Sequence, residues 1–69
     1  MILRKIGFIG LGLIGGSIAK KIKINHPGCE IIATARRQDT ITEAYEMGLI
    51  SNDTLLPLSA FSECDIIFL

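Results

Sequence analysis

Gly10, Gly12 and Gly15 are the residues of this chain best suited to chemistry, and the chemistry is anion binding. They lie in Gly10-Leu11-Gly12-Leu13-Ile14-Gly15-Gly16-Ser17, a Gly-x-Gly-x-x-Gly run. Where such a run joins a strand to a helix, its first glycine allows the tight turn and its second lets the backbone approach a pyrophosphate. The third lets the helix pack closely on the strand. The anion then sits at the helix N-terminus, where free N–H groups and the helix dipole favour negative charge.

The run has this meaning only in the right context, and the flanking residues supply it. Ile6 to Ile9 reads as a strand entering the turn, and about Leu13 to Ile24 reads as a helix leaving it, with Ile14, Ile18 and Ile22 forming one stripe. Lys20, Lys21 and Lys23 suit the C-terminal end of that helix dipole, and Asn25-His26-Pro27-Gly28 is a stop signal and turn. Glu30 to Ala35 is β-branched and apolar, so it predicts a second strand. Thr40-Ile41-Thr42-Glu43 matches a capping box with Thr40 as N-cap, opening a second helix that carries Ile41, Ala44 and Tyr45 on one face. That helix ends at Gly48, a suitable position for a left-handed C-terminal residue. Ser51-Asn52-Asp53 reads as a loop, Thr54 to Leu56 as a short third strand closed by Pro57, and Ser59 to Ser62 as a brief helical turn. Cys64 to Leu69 reads as a last strand, apolar on both faces. The predicted class is α/β, a Rossmann-type doubly wound parallel sheet with only its first half present. The chain stops inside a strand-like run without the layers to cover it. Residues 1–69 are therefore expected to be the N-terminal part of a longer dinucleotide-binding domain.

The end of the second predicted strand sets cofactor choice. In NAD-binding folds an acidic residue about 20 positions past the glycines bonds the adenosine ribose. Here that count reaches Ala35, and Thr34, Ala35, Arg36 and Arg37 hold no carboxylate; the first acid is Asp39. Guanidinium groups fork phosphates and stack on adenine, so the composition of this turn favours NADP, with NAD possible. The alternative for Arg36 and Arg37 is a pair of solvated charges on a strand-to-helix turn.

Other residues point to simpler roles. His26, the single histidine, sits in a turn away from the cofactor end of the sheet, and Asp65 suits a turn or cap. Cys29 and Cys64 have no basic neighbour in the sequence to activate them and read as ordinary thiols of a reducing cytoplasm. Two cysteines and one histidine make no metal site, and no catalytic constellation is present. A net charge of zero offers no basic surface for nucleic acid. Arg4 and Lys5 before an apolar run imitate a secretory leader, but five glycines fall between Ile6 and Ala19 and no cleavage site follows. The run is also too short and glycine-rich to span a membrane.

Ile6-Gly7-Phe8-Ile9-Gly10-Leu11-Gly12-Leu13-Ile14-Gly15-Gly16-Ser17-Ile18-Ala19 closely resembles the opening of prephenate and arogenate dehydrogenases. Gly48-Leu49-Ile50 and Cys64-Asp65-Ile66-Ile67-Phe68-Leu69 resemble the same family, so the likeness runs through the chain. The resemblance implies oxidative decarboxylation in tyrosine biosynthesis. Hydride passes from the ring carbon bearing the hydroxyl to the nicotinamide, and loss of CO2 aromatises the ring. It places Gly10, Gly12, Leu13, Ile14 and Gly15 at the pyrophosphate and Arg36 at the adenosine ribose or its phosphate; Arg37 joins the cofactor-binding candidates from the composition of the turn alone. It also implies a homodimer, formed through a helical catalytic domain beyond Leu69 that supplies the catalytic histidine; a cytoplasmic location is expected from the two thiols. The chain alone is expected to be inactive. Two alternatives share the glycine turn: another NAD(P)-dependent oxidoreductase of the β-hydroxyacid dehydrogenase type, and a non-catalytic dinucleotide-sensing module.

Overall fold

The computed structural model describes residues 4–69, without the side chains of Leu13 and Ile14. The start of the basic N-terminal segment, Met1 to Leu3, and the Ile14 member of the apolar stripe therefore lie outside the described residues. The elements run β1 (Lys5–Ile9), α1 (Leu13–Asn25), β2 (Glu30–Thr34), α2 (Gln38–Glu46), a 3-10 turn (Leu58–Phe61) and β3 (Ile66–Phe68). The sheet is parallel, with strand order β2-β1-β3. β1 pairs with β2 from Lys5 opposite Glu30 to Ile9 opposite Thr34, and with β3 from Ile6 opposite Ile66 to Phe8 opposite Phe68. This is half of a Rossmann fold, as the sequence predicts.

Side-chain alternation along the strands sorts the core. Ile6 and Phe8 of β1 and Ile31 and Ala33 of β2 pack with Ala19 of α1 and with Ile41 and Ala44 of α2, so both helices cover one face. Ile18 and Ile22 join from α1, as the predicted stripe requires, and Phe8 stacks on Phe68 with ring centroids 4.9 Å apart. On the opposite face Gly7 leaves room for the ring of Phe61, which the 3-10 turn delivers fully buried against β1. A Cβ at Gly7 would lie 2.5 Å from Phe61 Cδ1 and 2.9 Å from Cys64 Sγ. β3 is less covered, with Ile67 42% exposed.

Backbone ends are closed by specific bonds. His26 N–H donates to Ile22 C=O to finish α1, and Lys23 Nζ in its last turn donates to Cys29 C=O at 3.2 Å. Gly48, at φ +76°, ends α2 in a Schellman arrangement: Gly48 N–H donates to Tyr45 C=O and Leu49 N–H to Ala44 C=O. Asp65 joins the starts of β1 and β3. Its Oδ2 accepts from Arg4 N–H at 2.8 Å and Lys5 N–H at 3.1 Å, while its own N–H donates to Lys5 C=O. These two backbone donors hold the Asp65 carboxyl below its ordinary value.

Four local expectations change. α2 begins at Gln38, with Arg37 as N-cap, so Thr40 lies inside the first turn and no side chain caps the helix. The Gln38 amide instead ties the helix start to the 53–55 loop, donating to Asp53 C=O and accepting from Leu55 N–H. Tyr45 is 46% exposed because the buried line of α2 runs through Ile41 and Ala44, and one further residue rotates a helical side chain about 100° away. Residues 54–56 form no strand, because Ser51 N–H and the Asn52 side chain already occupy the outer edge of β2. The last strand, expected over Cys64 to Leu69, pairs only across Ile66–Phe68. The helical turn forms at Leu58–Phe61, close to its expected place.

Candidate functional site

β1 delivers its C-terminal end directly into the glycine turn. Gly10 adopts φ +86°, a conformation that an L side chain would strain, so the tight turn requires glycine. The turn is fastened to the neighbouring strand: Gly10 N–H and Leu11 N–H both donate to Thr34 C=O, at 2.9 and 3.0 Å. Gly12 is the N-cap of α1 in extended backbone, and its carbonyl accepts the first helical bond from Gly16 N–H at 2.8 Å. A Cβ at Gly12 would meet nothing within 4 Å, whereas one at Gly15 would come within 3.3 Å of Leu11 Cδ1 and 3.6 Å of Phe8 Cδ1. The three glycines thus differ in conformation and surroundings: a left-handed turn at Gly10, open space at Gly12 and close packing at Gly15.

The start of α1 is electrostatically prepared for an anion. No side chain caps it and no acidic residue lies in its first turn. The N–H groups of its first residues, Leu13, Ile14 and Gly15, precede the repeating helical bonds and are available to a ligand. Gly12 and Gly15 at this helix start line a cleft of about 540 Å³, together with Phe8, Ile9, Gly10, Ile18, Phe68 and Leu69. Its location follows from topology. The chain leaves β1 toward β2 on one side and returns as β3 on the other, so the crevice at the carboxyl ends of β1 and β3 is the topological switch point of the sheet. A second groove, of about 480 Å³, runs between α1 and α2 and includes Gly12, Gly16, Lys20, Thr40, Glu43 and Met47.

Arg36 and Arg37 lie in the turn immediately after β2, both exposed. Arg37 Nη2 pairs with Asp39 Oδ2 at 3.2 Å in a solvent-exposed bridge. The guanidinium of Arg36 has no ion pair among the described residues. Because Thr34 C=O holds the glycine turn, the structure brings the start of α1 and the Arg36 turn to the same end of the sheet. His26 follows α1 and lies at the opposite end, in the turn leading into β2.

Candidate nucleophiles are quiet. Both cysteines are free thiols, and burial pushes the thiol pKa of Cys29 and of Cys64 up. Among the described residues no three His, Cys, Asp or Glu side chains gather as metal ligands, and no helix is long and apolar enough to cross a membrane. The residues at the crevice fit a dinucleotide: a helix start with no side-chain cap, open space beyond Gly12 and an adjacent apolar cleft. Sequence reasoning passed over Asn52, whose amide bonds both Ala33 N–H and Ala33 C=O at the end of β2. The available signal is an amide residue two positions after the apolar Leu49-Ile50 pair, where a parallel strand's edge needs a donor and an acceptor together.

Comparison with known proteins agrees with this geometry. A family described as NADP oxidoreductase, coenzyme F420-dependent, matches residues 5–69. A prephenate dehydrogenase of Bacillus subtilis (strain 168) is 49% identical over 43 residues, covering 62% of this chain and 12% of the relative. A prephenate dehydrogenase of Lactococcus lactis subsp. cremoris (strain MG1363) is 43% identical over 67 residues, covering 97% of this chain and 18% of the relative. The chain therefore spans less than a fifth of the length of these curated relatives. No solved structure matches it significantly. The resemblance to prephenate dehydrogenases in the opening residues is borne out by both relatives, and the match over nearly its whole length shows that the chain belongs to the NADP oxidoreductase, coenzyme F420-dependent, family.

Proposed function

We propose that this chain is the N-terminal, cofactor-binding part of an NADP-dependent dehydrogenase that oxidatively decarboxylates prephenate or arogenate. One observation carries the cofactor half of this reading: the uncapped start of α1, the left-handed turn at Gly10 and the cleft at the carboxyl ends of β1 and β3 meet at one point. Backbone N–H groups of Leu13, Ile14 and Gly15 bind the pyrophosphate, and Gly10 and Gly12 shape the turn and leave space for it. Arg36 takes the ribose 2′-phosphate, while Arg37 is engaged with Asp39 and plays the lesser part. When bound, the nicotinamide supplies the hydride acceptor. The apolar walls Phe8, Ile9 and Phe68 exclude water from the crevice beside it. The substrate half of the reading rests on the two relatives. With it come a helical domain beyond Leu69 that holds the substrate and forms a homodimer, and a cytoplasmic location.

The test is turnover by the full-length protein with prephenate and arogenate, each with NADP and with NAD. Reduction of NADP well above NAD is expected with one of the two substrates. Arg36→Ala should lower kcat/KM for NADP by about 10- to 100-fold, the value of a charge-assisted bond lost, and leave NAD little changed. Turnover with NAD alone would remove the arginine from the account, and no turnover with any pair would remove the substrate. The family's description supports a second reading, hydride exchange between NADP and coenzyme F420. NADPH would then be consumed only in the presence of F420.

A further inference from the structure

Two side-chain amides brace the turn that presents Arg36. Ala33 directs its backbone groups to the outer edge of β2, and Thr34 directs its own inward to the glycine turn, as alternation along a parallel strand requires. The Asn52 amide meets Ala33 as a neighbouring strand would: Ala33 N–H donates to Asn52 Oδ1 at 2.9 Å, and Asn52 Nδ2 donates to Ala33 C=O at 2.8 Å. The same nitrogen donates to Thr54 C=O at 2.9 Å, folding the 52–54 loop against the strand end. From the far side of the turn, Gln38 Nε2 donates to Asp53 C=O at 2.8 Å, and Gln38 Oε1 accepts from Leu55 N–H at 3.2 Å. Residues 35–37 are thus bracketed, with one amide behind the strand that enters the turn and another on the helix that leaves it.

We infer that Gln38 and Asn52 are positioning residues for recognition of a phosphorylated ribose, acting through the direction in which Arg36 leaves β2. The inference rests on the reading of Arg36 given above. A guanidinium bonds a phosphate through paired N–H···O contacts within a narrow range of approach, so its backbone must be fixed; a ribose hydroxyl makes no such demand. The two braces differ in reach. Asn52 holds the strand end that also anchors Gly10 and Leu11 through Thr34, so it serves both ends of the nucleotide. Gln38 serves the ribose end, and it is exposed, so its removal leaves the core intact.

The experiment is calorimetric titration of the full-length protein with adenosine 2′,5′-bisphosphate and with 5′-AMP, alongside thermal denaturation of each variant. Gln38→Ala should weaken the bisphosphate by roughly three- to tenfold, the range expected for losing a small number of hydrogen bonds, and AMP by less than about twofold. Asn52→Ala should weaken both nucleotides and lower Tm; should it fail to fold, Gln38→Ala still decides. Combining Gln38→Ala with Arg36→Ala should add no loss beyond Arg36→Ala alone. Equal weakening of both nucleotides by Gln38→Ala, or none, while Arg36→Ala selectively weakens the bisphosphate, overturns the positioning role alone. An unchanged preference in Arg36→Ala overturns the reading of Arg36, and this inference with it.

Discussion

Gly12→Ala separates binding from folding at the glycine turn. The added methyl meets no protein atom within 4 Å and the residue's φ of −134° is open to alanine, so the substitution stores no strain. Two small effects on stability oppose each other. Alanine is a poorer N-cap than glycine, worth up to about 1 kcal/mol, and it lowers unfolded-chain entropy by about 0.4–1 kcal/mol in the stabilising direction. The net change in folding free energy should stay within about 1 kcal/mol. The methyl nevertheless occupies the space through which the backbone is to approach a pyrophosphate. Overpacking of that kind costs about 1–3 kcal/mol, which weakens binding by about 5- to 140-fold. Gly10→Ala should behave in the opposite sense. Its Cβ also meets nothing, but φ is +86°, so the cost falls on the fold itself, about 1–2 kcal/mol. The assay is a paired measurement on each variant, denaturant unfolding and NADPH affinity by fluorescence. Gly12→Ala with wild-type affinity, or with a stability loss as large as that of Gly10→Ala, would refute the division of roles among the glycines.

Three further outcomes follow from the packing. Gly7→Ala should destabilise by about 1–3 kcal/mol, because its methyl would overlap the buried Phe61 ring and the Cys64 sulfur; a smaller residue at position 61 should recover part of the loss in a thermal melt. Gly48→Ala should cost about 1–2 kcal/mol through its φ of +76°, with α2 fraying first by amide hydrogen exchange. Asp65 has a carboxyl pKa lowered by the Arg4 and Lys5 N–H groups, so its contribution is complete above the ordinary aspartate value of 3.8 and is lost as pH falls below it. Asp65→Asn should flatten that part of the stability–pH curve, and an unchanged acid limb would show that the clamp contributes nothing.

What the sequence made legible was local. The turn at Gly10, the start of α1 at Leu13, its stop near Pro27 and the left-handed residue at Gly48 each depend on backbone conformations that particular residue types select. α2 begins two residues before Thr40, because Thr and Glu are also accommodated inside a helix without forming a capping box; the bonds from Gln38 to residues 53 and 55 lie far along the chain. The expected strand over 54–56 failed for a related reason, since the edge of β2 it would have joined is taken by Asn52. The match of Gly7 to Phe61 was equally invisible, being a contact between positions that no periodicity connects.

The most direct test of the account is amide NMR of the isotopically labelled full-length protein titrated with NADP. The largest shifts are expected at the backbone amides of Gly12, Leu13, Ile14 and Gly15, with a second group at Arg36 that NAD fails to reproduce. Shifts confined to the α1–α2 groove, around Lys20, Glu43 and Met47, or no saturable shift at the glycine turn, would contradict it.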